Sequence, residues 1–199
     1  MPISSRTRIR LRNLKSRLRS AFHAALTSQR FSSIGKGCKI FGDGITLGNR
    51  VVIGDFCWIE SIHYYKTAVG VQSFSPRLVV EDDVALSDFV HISCVDHVRV
   101  GAGTLIGSKV YIGDHSHGST SSDEVENHAA WGPRQRPLAD ISAIHIGKNC
   151  WIGDGAVILA GTQLGDNCII AANSVVKGEF PANLIVGGIP ARKLKDFSR

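Results

Sequence analysis

A period of six residues constrains this chain more than any other feature. From Ile146 to Val175 it reads IGKNCW, IGDGAV, ILAGTQ, LGDNCI and IAANSV. Each word opens with Ile or Leu, Gly, Leu or Ala follows, and the fifth place holds Cys, Ala, Thr, Cys and Ser in turn. A fixed internal period sets the architecture before local propensities are weighed. Glycine recurring at this spacing is incompatible with a helix. One short strand and one tight turn per word do fit. Three words then close a triangular coil of about eighteen residues, and coils stack as parallel strands roughly 4.8 Å apart. The first residue of each word points inward. The second sits at a corner, where Gly tolerates φ > 0. The fifth points inward beside a corner and must be small. A single coil cannot bury its own apolar side, so several must stack.

On this template the words begin at Ile34 and Ile40, slip by one residue to Leu47, and continue through Ile53 and Ile59. The pattern lapses over 61–78, a stretch that reads as a loop thrown out from a corner. It resumes at Val80, Leu86 and Ile92. Two extra residues, Val98 and Arg99, precede Val100, Ile106 and Ile112. A second loop runs from 118 to 145, and a loop of that length without its own structure is usually functional.

The 199 residues suit one globular domain, divided as an arm over 1–30, the repeat body over 31–190 and a short C-terminal helix or tail over 191–199. The net charge of +6 is placed unevenly: residues 1–30 hold seven Arg, one Lys and no acid, which leaves the remainder at −2. Ile9, Leu11, Leu14, Leu18, Phe22 and Leu26 give residues 7–28 the spacing of a basic amphipathic helix. Such a helix can cap the open edge of the first coil or dock reversibly on anionic lipid. The arm lacks the apolar stretch of a signal peptide, and no apolar run is long enough to cross a bilayer. Only Phe22 is interleaved with the basic residues, which argues against nucleic acid. Cys38, Cys57, Cys150 and Cys168 all fall on fifth positions and Cys94 on a third. They read as small buried residues in a reducing compartment, not as a disulfide framework or a metal site.

The repeated words, NCWIG at 149–153 and GGIPARKLK at 187–195 resemble the hexapeptide-repeat acyltransferases over about residues 34–196. Within that family the excursion after IGDHSHG is similar to the sugar and polysaccharide O-acetyltransferases, near the maltose and galactoside acetyltransferases. The resemblance implies an all-β, left-handed parallel β-helix, a homotrimer, and acetyl-CoA as acyl donor in the groove between neighbouring subunits. It implies a sugar or saccharide acceptor and a cytoplasmic location, peripheral to the inner membrane if the arm binds lipid.

Chemistry is expected where the pattern ends, at Ile112-Gly-Asp-His-Ser-His-Gly118. Acyl transfer to an alcohol needs a base near neutral pKa, which histidine supplies. Counting from Val110, the family's spacing lands on His117, with His115 in reserve. His91, Asp96, His97, Tyr64 and Trp131 are candidate acceptor contacts. In the triangular register His97 and His117 are expected to close the same side of adjacent coils. Trp151, Gly153, Ala160, Ala172, Lys177, Arg192 and Lys195 are candidate contacts for the acyl donor. No metal is expected: a zinc reading of His115 and His117, as in the γ-class carbonic anhydrases of this fold, departs from that branch's spacing. Two other enzyme readings stay open, N-acetylation of a nucleotide-linked amino sugar and acetylation of an antibiotic. So does a non-catalytic β-helix scaffold.

Overall fold

The computed structural model describes residues 33–119 and 131–197, together with Lys15 and Leu18. The expected amphipathic helix over 7–28 lies outside the described residues apart from those two, which are helical and exposed. Among the described residues no helix is long and apolar enough to cross a membrane.

The chain winds through three parallel faces in rotation. Face 1 takes its rungs from Ser33–Ile34, Val52–Ile53, Ala85–Leu86, Leu105–Ile106, Trp151–Ile152, Ile169–Ile170 and Leu184–Gly188. Face 2 follows with Lys39–Phe41, Trp58–Ser61, His91–Cys94, Tyr111–Gly113, Val157–Leu159 and Val175–Val176. Face 3 is made of Ile45–Leu47, Arg77–Val80, His97–Val100, Ile144–Ile146, Gln163–Leu164 and Glu179–Phe180. Inward positions stack in register: Ile34, Ile53, Leu86, Ile106, Ile152, Ile170 and Val186 form one column on face 1, all buried. These columns merge into a single core. Apolar burial in the core is the main stabilising contribution, about 25 cal/mol per Å² removed from water.

The first and fifth positions of the words behave as the period requires, but the left-handed backbone expected at the second position lies at the fourth. Positive φ occurs at the fourth position, as at Phe56, Phe89, Lys109, Asn149, Asn167 and Asn173. The second-position glycines answer to crowding instead. A Cβ on Gly35 would sit 2.1 Å from the Gly54 carbonyl oxygen, and one on Gly147 2.5 Å from the Gly165 carbonyl carbon. Successive coils approach too closely there for a side chain. Third-position aspartates tie coil to coil: the carboxylates of Asp55, Asp82, Asp88, Asp154 and Asp166 accept the backbone N–H of Lys36, Asn49, Asp55, Ser108 and Lys148 in the preceding coil, at 2.7–2.8 Å.

The cysteines are unpaired thiols, four of them buried and Cys38 half-buried. Fifth-position thiols donate to a carbonyl in the following coil, Cys57 to Ser87 at 3.1 Å and Cys168 to Pro181 at 3.1 Å. A short side chain with a weak donor suits a place that is apolar on one side and faces a carbonyl on the other.

The C-terminal helix expected over 191–199 is corrected to a strand. Ala191–Asp196 folds back antiparallel on Leu184–Gly188, pairing Gly188 with Ala191 and Val186 with Lys193. Gly188 at φ 105° turns the chain, and the β-region pairing with the preceding strand overrides the helical propensity of ARKLK. The stretch over 61–78 is likewise not plain loop, since Tyr64–Thr67 and Gly70–Ser73 form an antiparallel hairpin. Inside 118–145 lie a 3₁₀ turn at Pro133–Gln135 and a short strand at Leu138–Ala139, and the coil restarts at Ile144 rather than Ile146.

Candidate functional site

Both excursions leave the stack at the same corner, the one joining face 2 to face 3. The first departs after Ser61 and returns at Arg77, and the second departs after Gly113 and returns at Ile144. Between them, in the intervening coil, this corner is turned by Val95 and Asp96. The two excursions are tied together. Ala68 N–H donates to the Gln135 carbonyl at 2.8 Å, and the Gln72 amide exchanges hydrogen bonds with the Leu138 backbone at 2.7 and 3.0 Å.

Asp114 is the centre of this corner, and the sequence reading passed it over. It occupies a third position, like the coil-tying aspartates, and does the same work: its carboxylate accepts the Val95 N–H at 2.9 Å and the Asp96 N–H at 2.9 Å. Unlike them it is fully buried, and it holds His115 Nδ1 at 3.0 Å. Burial raises its pKa, but the His115 ring and the two backbone N–H groups outweigh burial and leave it below the ordinary carboxylate value. An ionised Asp114 makes His115 Nδ1 the donor of that bond, so the lone pair of the neutral ring lies on Nε2. The signal in the sequence was the Asp-His pair inside a word whose third position is normally a corner carboxylate.

His117 stands further out. Its Nδ1 meets the Tyr65 hydroxyl at 3.1 Å, and that hydroxyl donates to the Arg134 carbonyl at 2.7 Å. The hydroxyl proton is thereby used, so His117 Nδ1 donates and its lone pair also falls on Nε2. The two rings lie 6.3 Å apart. Burial lowers the His117 pKa, and a proton on nearby His115 would lower it further, so the His117 ring is mostly neutral at pH 7. A cavity of about 520 Å³ lies between the hairpin and the 3₁₀ turn, lined by Lys66, Thr67, Ala68, Gly132, Pro133, Arg134 and Gln135, and neither histidine lines it.

The remaining candidates scatter. His97 and His117 are not register neighbours: His97 pairs with Arg77 on face 3, whereas His117 pairs antiparallel with Leu138 outside the coil. His97 instead meets His145, ring to ring at 6.2 Å, and its Nε2 is buried without a hydrogen-bond partner among the described residues. His145 Nε2 accepts from Arg99 at 2.7 Å, and Arg99 is also bound by Glu81. His91 opens its rung of face 2, against Trp58 and Tyr111. The exposed Asp96 serves this corner through its backbone, while Tyr64 projects to solvent from the hairpin. Trp131 lies at the foot of the second excursion, its carbonyl accepting from Arg136.

Of the candidate donor contacts, Ala160 and Lys177 sit at the same face 2–3 corner as Asp114. Gly153 and Ala172 belong to the corner between faces 1 and 2, and Trp151 to the outer side of face 1. Arg192 and Lys195 lie on the final antiparallel strand. Cys94, next to the site, is no nucleophile. Burial pushes its thiol pKa up and the Asp114 carboxylate pushes it further.

With the geometry in place, comparison with known proteins narrows the class. Residues 143–178 match the bacterial transferase hexapeptide (six repeats) family, and the stacked rungs carry the same period on both sides of that segment. It is 38% identical over 117 residues to WbbJ of Escherichia coli strain K12, a protein assigned to lipopolysaccharide biosynthesis as an O-acetyl transferase. That alignment covers 59% of each chain, so the match spans under two thirds of this relative's length. A second Escherichia coli relative, dTDP-4-amino-4,6-dideoxy-D-glucose acyltransferase, is 28% identical over 182 residues, 85% of this chain and 84% of that one. Among solved structures, a point mutant of the N-acyltransferase AntD from Bacillus cereus, in complex with dTDP and coenzyme A, superposes with a TM-score of 0.53. It is 19% identical, and the match covers 90% of both chains. At that identity the likeness speaks for the fold.

Proposed function

We propose that this protein is an acetyl-CoA-dependent O-acetyltransferase acting on a sugar hydroxyl in surface polysaccharide or lipopolysaccharide biosynthesis. The observation that carries the reading is the buried Asp114 carboxylate 3.0 Å from His115 Nδ1, at the corner where both excursions leave the coil. A histidine oriented by a buried carboxylate, with Nε2 free to take a proton, is the arrangement direct acyl transfer to an alcohol requires. The similarity to WbbJ supports the reaction and the class of acceptor.

The geometry supports His115 as the base, in place of the His117 favoured by spacing. His115 takes the proton from the acceptor hydroxyl on Nε2 while that oxygen attacks the thioester carbonyl, and the thiolate leaves. Asp114 keeps Nδ1 protonated and stabilises the imidazolium that forms. His117, held neutral and anchored to Tyr65, positions the acceptor from the outer side. The donor lies along the face 2–3 corner, past Ala160 and Lys177. Completion of the groove by a second subunit of a homotrimer, and the left-handed winding of the coil, belong to the same reading.

Amine acylation is the second reading, favoured by the 84% coverage of the aminosugar nucleotide acyltransferase. Release of CoA thiol from acetyl-CoA, followed over hydroxyl and amino sugars, separates the two. With a productive acceptor, His115→Ala is expected to lower kcat by about 10² to 10⁴, and His117→Ala to act chiefly on the acceptor KM. A larger kcat loss in His117→Ala would return the base to that residue. Absence of acetyl transfer to every sugar would end the acetyltransferase reading.

A further inference from the structure

The transfer mechanism uses none of the five thiols, and four of them stand in two stacked pairs. Lys39 faces Trp58 in register and its N–H donates to the Cys57 carbonyl at 2.9 Å, so Cys38 lies one coil below Cys57 at the corner entering face 2. Trp151 faces Ile169 and its N–H donates to the Cys168 carbonyl at 2.9 Å, which sets Cys150 one coil below Cys168 at the corner entering face 1. Cys94 differs, since its register neighbour is Ser61.

Successive coils lie roughly 4.8 Å apart, and a disulfide needs its two Cα atoms about 4.4–6.8 Å apart. In-register neighbours at that spacing meet the requirement. The thiols of each pair also act on one another. A hydrogen bond from the Cys57 thiol favours the Cys38 thiolate and brings Cys38 down to about 7, against the opposing effect of burial. Cys150 does the same for Cys168, which also falls to about 7. In the reduced lower pair each sulfur has a carbonyl within reach, Gly54 for Cys38 at 3.0 Å and Ser87 for Cys57 at 3.1 Å, so the coil is complete without a bond between them.

The two pairs are alike in stacking and acidity and differ in access. Cys150 is 2% exposed, Cys168 0% and Cys57 1%. Cys38 is only half-buried, because Lys39–Phe41 is the end rung of face 2 and no described rung lies beneath it. Of the four, Cys38 is the one that an oxidant in solution can reach.

We propose that Cys38 and Cys57 form a peroxide-responsive thiol pair, in which Cys38 is the modification site and Cys57 resolves it into a disulfide across the first two coils. This chemistry is independent of the transferase reading. The Cys38 thiolate attacks one oxygen of hydrogen peroxide, the O–O bond breaks and hydroxide leaves, which gives a sulfenic acid on Cys38. The Cys57 sulfur then displaces the sulfenic hydroxyl, and the Cys57 proton departs with it as water. Two thiols are oxidised and one peroxide is reduced to two waters, the hydroxide taking up the proton that Cys38 had released. The disulfide fastens the end coil to its neighbour, at the end of the stack where local opening is easiest.

The test adds hydrogen peroxide to the fully reduced full chain near pH 7. Remaining thiols are blocked with N-ethylmaleimide in denaturant at successive times, and the peptides are identified by mass spectrometry. A Cys38–Cys57 link is expected to form at least tenfold faster than any Cys150–Cys168 link, and dithiothreitol is expected to reverse it. In Cys57→Ser, dimedone is expected to trap the sulfenic acid on Cys38; in Cys38→Ser, Cys57 is expected to keep its thiol. A serine hydroxyl is small and can also donate to a carbonyl, and thermal melts establish that both variants fold. The wild-type time course decides by itself if either does not. The proposal is overturned if Cys38 and Cys57 both stay open to maleimide, if Cys38 ends as a sulfinic acid without the link, or if Cys150 and Cys168 link as fast.

Discussion

Two of the three corners of this coil are turned alike in every layer, and the third is turned differently in almost every one. From face 1 to face 2, and from face 3 to face 1, each turn places a left-handed residue at the fourth position, such as Lys109 or Asn149. Third-position aspartates recur at both of these corners. From face 2 to face 3 the same chain makes a Gly42–Gly44 bend, a hairpin, a short Val95–Asp96 turn and the long excursion that follows Asp114. Stacking demands regularity of enough corners to keep the columns in register and leaves the remaining one free. The regular corners hold the coil together, and the irregular one gathers the polar groups.

If this division is right, substitutions should separate stability from turnover according to the corner or column they touch. The largest stability loss is expected from Ile158→Ala, in the buried column of face 2. It should destabilise by about 3 kcal/mol and leave kcat per folded molecule unchanged; denaturant unfolding with assays at matched folded fraction checks this. A smaller loss, about 2 kcal/mol, is expected from Gly147→Ala, whose Cβ would meet the Gly165 backbone at 2.5 Å. A melt indistinguishable from wild type would show that the corners are looser than drawn.

Asp114→Asn crosses the divide, since Asp114 both ties the coil and orients His115. It should cost about 1–3 kcal/mol together with a drop in kcat. Its stability deficit should also depend on pH. The folded-state pKa is depressed, so the carboxylate's contribution is complete above the unfolded value of about 4. That contribution is lost as pH falls through the folded value. The gap in Tm between wild type and Asp114→Asn is therefore expected to be constant near pH 7 and to close in acid. A pH-independent gap would mean that Asp114 acts through packing alone. The smallest effect belongs to the regular corners: Lys109→Asn, at φ 60°, should stabilise by about 0.5 kcal/mol because Asn tolerates the left-handed region better.

The period made the faces, the buried columns and the fifth-position cysteines legible in the sequence, because repetition averages out local ambiguity. It also marked the irregular corner without identifying its role. The slip before Leu47 and the two excursions map to the face 2–3 corner, and the extra Val98 and Arg99 lie in the His97–Val100 rung that follows it. The cause of the second-position glycines was hidden because a close approach between coils leaves the same residue as a positive φ. Asp114 was hidden because its word looks like every other; only burial and the contact with His115 distinguish it. The Trp58–His91–Tyr111 row needed cross-strand register, which couples residues 20 to 33 positions apart. The final strand was misjudged because a repeat that stops gives no hint of which way the chain turns.

That last strand also gives the stack a direction. Along face 1 every rung up to Leu184–Gly188 runs parallel to the one below, and Ala191–Asp196 then runs against them. A reversed rung outward of the seventh presents an edge to which a further coil would have to add in the opposite sense. The register that propagates so readily from rung to rung is thereby interrupted on that face. The repeat is a form of growth, and this strand acts as its terminator: stacking of a further copy end to end, the usual hazard of an open parallel edge, meets a mismatched template there.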